Sequence, residues 1–286
     1  MEIKKRFVPG DHWLYLKIYT GIKTADIILE EVINPLTISL LEDKSISYWF
    51  FIRYHDPQPH LRIRLYVNNF QNYHNTLNRL TLALEKHIDS EEISNIVNDT
   101  YVRELERYGE ATIPYTETLF YHSSLLSLNF LWASDEEKIM VIVFYIDQLL
   151  SQTGLSINQK LQWIKDYNAF FKEEFKANKS LNQQLDKKHR VFSPKFLDFL
   201  QSSEFDEIRG AIMENLYLSG DALQNICNSY NVHDNPQSLQ FFFQSIFHMA
   251  INRMFISQQR LFEMIIFDYL HRYYKTFSYH NLNNAK

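Results

Sequence analysis

The chain has 286 residues, a formal net charge of −5, 15% aromatic residues and only 6 Gly and 7 Pro. That length suits one large domain or two intimate ones with a full apolar core, and the scarcity of Gly and Pro favours long regular elements over linkers. The acidic balance removes any overall pull toward nucleic acid, and the single cysteine, Cys227, rules out an intrachain disulfide or a Cys-rich zinc site.

Met1-Glu-Ile-Lys-Lys-Arg-Phe7 lacks the apolar stretch and the cleavage site of a signal peptide, and the longest apolar run, Ile139 to Ile146, is far too short to cross a bilayer. The expectation is a soluble, cytoplasmic chain with no membrane insertion. His12 to Tyr19 reads as a strand ending at Gly21. Thr24 then caps a helix to about Leu41, with Ile27, Ile28, Glu31, Val32 and Leu36 along its inward stripe, and Pro35 predicts a kink or break near Asn34. Tyr48 to Tyr54 is aromatic and β-branched, as in a buried strand. His55-Asp-Pro-Gln-Pro-His60 is a hairpin loop, and the run to Asn68 alternates strictly between apolar and basic or aromatic residues. Asn69 to His87 reads as a helix burying Leu77, Leu80, Leu82 and Leu84, and Ile93 to Tyr108 as extended chain, in one or two strands.

Strand, helix, strand, strand, helix, strand is the split βαβ order. From Thr116 the spacing is helical: 116–131, 134–152, 157–176, 194–199, 205–218 and 238–274, with polar Asn178 to His189 expected as a mobile surface loop. The fold class is therefore α+β: a ferredoxin-like, four-stranded antiparallel sheet over 1–110, followed by a mainly helical half over 111–286 packed on it as one compact unit.

The candidate chemistry lies in three stretches. On the hairpin, pairing His55 with His60 sets Arg53 opposite Arg62, on the face that also carries Arg64. Three like charges so close repel, and solvent, carboxylates or an anionic ligand must relieve them; the guanidinium fork suits a carboxylate. An antiparallel sheet with one face in water explains the pattern equally well. In Tyr101-Val-Arg-Glu-Leu-Glu-Arg-Tyr-Gly109, read as a strand, Tyr101, Arg103, Leu105 and Arg107 share a face, with a charge-coated edge strand as the plainer reading. In the helix around Phe241 to Arg253, His248 and Asn252 share a face. His248 has apolar neighbours that predict burial, and a buried neutral imidazole suits general acid/base work as well as a core hydrogen bond. No phosphate loop, HExxH, EF-hand or serine elbow is present, so neither cofactor nor metal is expected.

Trp13-Leu-Tyr-Leu-Lys-Ile-Tyr19, Trp49-Phe-Phe-Ile-Arg-Tyr54 with Pro59-His-Leu-Arg-Ile-Arg64, Tyr101 to Gly109, and His248 with Asn252-Arg253 together resemble the C-terminal elimination domain of lantibiotic dehydratases, also found in stand-alone form in thiopeptide-type bacteriocin biosynthesis proteins. The resemblance runs from about residue 10 to the end. It implies a lyase acting on a ribosomally made precursor peptide whose Ser and Thr have been glutamylated from glutamyl-tRNA, with glutamate expelled to leave dehydroalanine or dehydrobutyrine. By likeness of motif, Arg62, Arg64, Arg107 and His248 are the catalytic set. Arg53, Tyr54, His60, Arg103, Tyr108, Asn252 and Arg253 are substrate-binding candidates, and Tyr54, His60 or Tyr108 are substitutes for His248 as acid/base. No glutamylation domain is recognisable, so the chain is expected to be one half of a split dehydratase, partnered by a separate tRNA-dependent glutamylation protein, with no direct nucleic-acid contact and with a homodimer as one option. Two other readings stay open: a pyridine-forming [4+2] cycloaddition enzyme of thiopeptide maturation, and a non-catalytic precursor-peptide-binding subunit.

Overall fold

The computed structural model describes residues 3–230 and 236–284, and the chain divides into two compact units, Met1–Trp132 with Asn252–Ser257, and Ala133–Ile251 with Gln258–Lys286. In the first unit the elements are β1 (Arg6–Phe7), β2 (Trp13–Thr20), α1 (Thr24–Ile28), α2 (Asn34–Glu42), β3 (Ile46–His55), β4 (Pro59–Val67), α3 (Phe70–Asp89), β5 (Ile93–Asn98), β6 (Tyr101–Val102), α4 (Leu105–Tyr108) and α5 (Ile113–Leu128). The four-stranded sheet has the order β3-β4-β2-β5 and every neighbouring pair is antiparallel; β1 and β6 form a separate two-stranded sheet.

Alternation along the strands separates the sheet's faces. Leu14, Leu16, Ile18, Trp49, Phe51, Leu61, Ile63, Leu65 and Val67 are buried in one apolar core with Ile28, Leu29 and Ile33 of the first helical stretch and Leu80 and Leu84 of α3. The break expected at Pro35 takes the form of a π-turn, Leu29–Ile33, joining α1 to α2. The π-turn precedes a proline that lacks an amide hydrogen, so the helical stretch continues with locally altered hydrogen bonding. Asn69 caps α3 by accepting from the Asn72 amide at 2.9 Å. Leu82, expected inside, is exposed, and Tyr73 and Thr76 are buried on that helix instead.

The hairpin register differs from the expectation by one residue. Only Asp56, Pro57 and Gln58 lie between the strands, so His55 pairs with Pro59, Tyr54 with His60 and Arg53 with Leu61. Because side chains alternate, that single step puts Arg53 on the core face, opposite to Arg62 and Arg64. Tyr101 to Gly109 is likewise not a strand of the main sheet. Only Tyr101 and Val102 are extended, paired with β1, and Leu105–Tyr108 is one helical turn stopped at Gly109, whose φ of 75° suits a residue without a side chain. Arg103 and Arg107 thus do not share a strand face, and it is β5 that borders β2.

The second unit is helical: α6 (Asp135–Ser151), α7 (Ile157–Glu174), α8 (Lys179–Gln201), α9 (Asp206–Leu218), α10 (Gly220–Tyr230), α11 (Pro236–Met254, its last turn within the first unit) and α12 (Gln259–Asn284). Ser134 and Ser156 start α6 and α7 with reciprocal capping boxes. Phe171, Phe243, Phe247 and Phe267 are fully buried, and the Phe171 and Phe267 rings stack 5.4 Å apart. The stretch 178–189 is helix rather than loop: Asn178 caps it, and Leu185, Phe192, Phe196 and Phe199 form a buried stripe. The expected helix 238–274 is two helices, interrupted at 255–258. Among the described residues no helix is long and apolar enough to cross a membrane.

Candidate functional site

The sheet face away from the first unit's core carries Trp13, Tyr15, Lys17 and Tyr19 from β2, Tyr48, Phe50, Ile52 and Tyr54 from β3, and His60, Arg62, Arg64 and Tyr66 from β4, in register. Arg64 is 8% exposed, and its guanidinium lies 4.4 Å from the Tyr15 ring centre, 4.8 Å from Tyr101 and 5.4 Å from Phe50. Among the described residues it makes no hydrogen bond or ion pair, and its buried Nε has no partner. A cation of this kind is held by ring faces alone and keeps its hydrogen-bond donors unused. Arg62, half-buried, stacks 3.4 Å over the Tyr54 ring and donates from Nε to His60 Nε2 at 3.1 Å. It too has no carboxylate within ion-pair distance among the described residues.

His60 is fixed by that donation together with its Nδ1, 2.9 Å from the Gln58 carbonyl. Accepting at Nε2 and donating at Nδ1 describes a neutral ring. Burial, then the neighbouring Arg62 and Lys17 charges, hold its pKa below the usual histidine range. Across the strand pair from Arg62 lies Lys17, whose ammonium is 2.5 Å from Asp99. The face can therefore bind an anion through two guanidinium groups, with aromatic walls and a neutral imidazole beside them.

The other arginines are committed elsewhere. Arg53 is buried against Asp26 at 2.5 Å and donates from Nε to the Arg253 carbonyl at 3.0 Å. Asn252 pairs with the outer edge of β3 as a neighbouring strand would. Its Oδ1 accepts from the Arg53 amide and its Nδ2 donates to the Arg53 carbonyl, both at 2.9 Å. Arg253 Nε donates to the Phe51 carbonyl at 2.8 Å, and Ser124 Oγ accepts from the Phe51 amide at 3.2 Å. These contacts cover the backbone of an otherwise open edge. Arg103 donates to the fully buried Glu117 at 2.7 Å from Nε and 2.5 Å from Nη2, and the Tyr101 hydroxyl donates to the same carboxylate at 2.9 Å. Burial pushes Glu117 above the usual carboxylate range, opposed by Arg103 and then Tyr101. Arg107 is exposed and pairs with Glu104 at 3.1 Å. Tyr108 is buried, and burial pushes its phenol up to about 12.

In the second unit, His248 is not the deeply buried ring its apolar neighbours suggest: its side chain is 32% exposed. Its Nδ1 meets Oε1 of the fully buried Glu263 in a short contact, and Arg260 holds Glu263 Oε2 at 2.5 Å. A carboxylate on one ring nitrogen fixes the tautomer and leaves Nε2 as the proton acceptor, the orientation a general base requires. Sequence reasoning missed Glu263, which lies on the next helix, 15 residues on, with no motif to mark it. It also missed Lys17, Tyr15 and Tyr101 as neighbours of the arginines, although the alternation Trp13-x-Tyr15-x-Lys17-x-Tyr19 already placed two of these side chains on one face. Among the described residues no three His, Cys, Asp or Glu side chains are grouped to hold a metal ion.

The family model for the C-terminal part of the lantibiotic biosynthesis dehydratase matches residues 13–274. The chain belongs to the lantibiotic dehydratase C-terminal family. It is 24% identical over 295 residues to the nisin biosynthesis protein NisB of Lactococcus lactis subsp. lactis and 22% identical over 277 residues to the subtilin biosynthesis protein SpaB of Bacillus subtilis. Those alignments cover 96% and 91% of this chain but only 27% and 25% of the relatives, so the chain spans about a quarter of their length. Several solved structures share the fold. The tRNA-dependent lantibiotic dehydratase MibB from Microbispora sp. 107891 superposes with a TM-score of 0.67 at 19% identity, over 93% of this chain and 28% of MibB. TsrL gives 0.60 at 13% identity, over 91% and 93% of the two chains, and the pyridine synthase TbtD from thiomuracin biosynthesis gives 0.54 at 11%, over 93% and 100%.

Proposed function

We propose that the chain is a glutamate-eliminating lyase that converts glutamylated Ser and Thr of a ribosomally made precursor peptide to dehydroalanine and dehydrobutyrine. The observation that carries the reading is the pair Arg62 and Arg64, held on rings and on His60 with no carboxylate of their own, in a chain of the lantibiotic dehydratase C-terminal family. In the reaction a base takes the Cα proton of the esterified residue, the electron pair becomes the Cα=Cβ double bond, and the Cβ–O bond breaks to release glutamate as a carboxylate. The guanidinium groups stabilise the charge that develops on that leaving oxygen. His248, oriented by Glu263, is the proposed proton acceptor, and Tyr54 and His60 line the anion site. We assign supporting roles to Arg53, Arg103, Tyr108, Asn252 and Arg253, whose side chains are spent on buried or edge contacts, and leave Arg107 as an exposed candidate contact to the peptide.

The strand order β3-β4-β2-β5 supports a ferredoxin-like reading of the sheet. Glutamylation by a tRNA-dependent partner protein, in the cytoplasm, is part of the same proposal, and the likeness to the tRNA-dependent lantibiotic dehydratase MibB supports the tRNA-dependent step. A second reading, pyridine-forming cycloaddition, is favoured by one fact: the pyridine synthase TbtD shares the fold, with a TM-score of 0.54. The two separate on a peptide carrying a glutamyl ester on Ser. Glutamate release with a dehydroalanine mass, lost in Arg62→Ala and His248→Ala, supports the lyase. No release, with loss of dehydroalanines from a dehydrated peptide, supports cycloaddition. Neither reaction, with binding of the precursor retained, leaves a binding subunit.

A further inference from the structure

The open end of the cationic face carries one carboxylate that the proposed reaction does not use. Asp99 follows β5, and its amide donates to the Tyr15 carbonyl at 3.0 Å, continuing the β5–β2 pairing. Its carboxylate thereby reaches Lys17, with the Arg62 charge nearby. Other carboxylates near this face are committed elsewhere. Glu117 is fully buried and consumed by Arg103 and Tyr101, and Asp56, in the hairpin loop, acts on His60. Asp99 is different: its side chain is 37% exposed, Oδ2 meets Lys17 at 2.5 Å, and Oδ1 accepts from the Thr100 amide at 2.6 Å. Carboxylate oxygens each accept more than one hydrogen bond, so Asp99 retains room for a second cation.

Along this end of the sheet the charges therefore run negative, positive, positive: Asp99, Lys17, Arg62, with Lys17 directly across the strand pair from Arg62. Purely anionic ligands would be repelled at Asp99 and attracted at the other two. A ligand bearing an ammonium beside a carboxylate complements all three. We infer that Asp99, Lys17 and Arg62 form a subsite for an aminoacyl group with an acidic side chain, Asp99 taking its ammonium and the two cations its side-chain carboxylate. This rests on the elimination reading and deepens it. An amino acid delivered from its tRNA ester is linked through its α-carboxyl, so a glutamyl ester keeps a free ammonium and a free side-chain carboxylate. Selection for that ammonium would distinguish glutamyl esters from any other acyl ester on the same peptide.

The test compares peptides esterified on Ser with a glutamyl group or with a glutaryl group, the same chain without the ammonium. The wild-type protein is expected to prefer the glutamyl ester in kcat/KM by about tenfold or more, and Asp99→Asn, which can keep the Thr100 contact, to bring that ratio toward one. A wild-type ratio near one, or an undiminished ratio in Asp99→Asn, overturns the subsite. If the wild type releases neither glutamate nor glutarate, the elimination reading fails and the subsite is judged separately by calorimetric titration with the free acids. Tighter binding of glutamate than of glutarate, levelled in Asp99→Asn, upholds it; equal binding, or none of either, overturns it. Circular dichroism of the variant confirms that it is folded.

Discussion

On the two faces of one sheet, arginine is handled in opposite ways. On the core side, Arg53 is buried and matched by an equally buried carboxylate, Asp26, at 2.5 Å. On the other side, Arg64 is almost as buried but is surrounded by Tyr15, Phe50 and Tyr101, and Arg62 lies on Tyr54. A buried charge is costly unless compensated, and a carboxylate partner neutralises it while an aromatic cage leaves its net charge in place. The first arrangement holds the fold together. The second leaves a positive charge among ring faces, and the proposed function assigns that charge to the substrate.

The sharpest way to break this comparison is on the core side. Arg53→Met should destabilise the protein by about 3–5 kcal/mol in urea unfolding, because Asp26 is left buried and unpaired, and Asp26→Leu in the same chain should recover most of that loss. Next in size is Arg62→Ala, expected to slow glutamate release by about 10²–10³-fold, the range for removing one charge-stabilising donor, while the unfolding midpoint moves little. Removing the edge cover with Asn252→Ala should cost about 1–3 kcal/mol of stability, since two backbone groups of Arg53 lose their partners. The smallest effect concerns His60. Its folded pKa lies below the unfolded value, so the folded chain resists protonation and the unfolded one does not. Stability should therefore fall as pH drops below ~6.5, and His60→Gln should flatten that part of the profile in urea midpoints read from pH 7.5 to 5.5.

The sequence revealed the hairpin but not its register. Strict alternation from His60 to Val67 separates the two faces whatever the pairing, so Arg62 and Arg64 were bound to share one. Arg53 depended on whether the loop held three residues or four, and one residue inverts a strand. Tyr101 to Gly109 also alternates, yet it is too short to choose between a strand and a helical turn by periodicity alone, and its contacts with β1 and α5 decide. Asn178 to His189 reads as a loop because its exposed side is polar; the apolar stripe from Leu185 to Phe199 completes the helix only when the longer window is taken. Glu263 left no trace near His248, since the contact joins two helices through tertiary structure.

The most direct measurement of the central claim is glutamate release by an Arg64→Met variant, read beside its urea midpoint. Methionine fills the aromatic cage and removes the charge. The expected result is a variant at least as stable as the wild type that releases glutamate from a glutamyl-Ser peptide about 10²-fold more slowly or not at all. A stable variant that still releases glutamate at the wild-type rate would show that the charge held between Tyr15, Phe50 and Tyr101 serves no substrate.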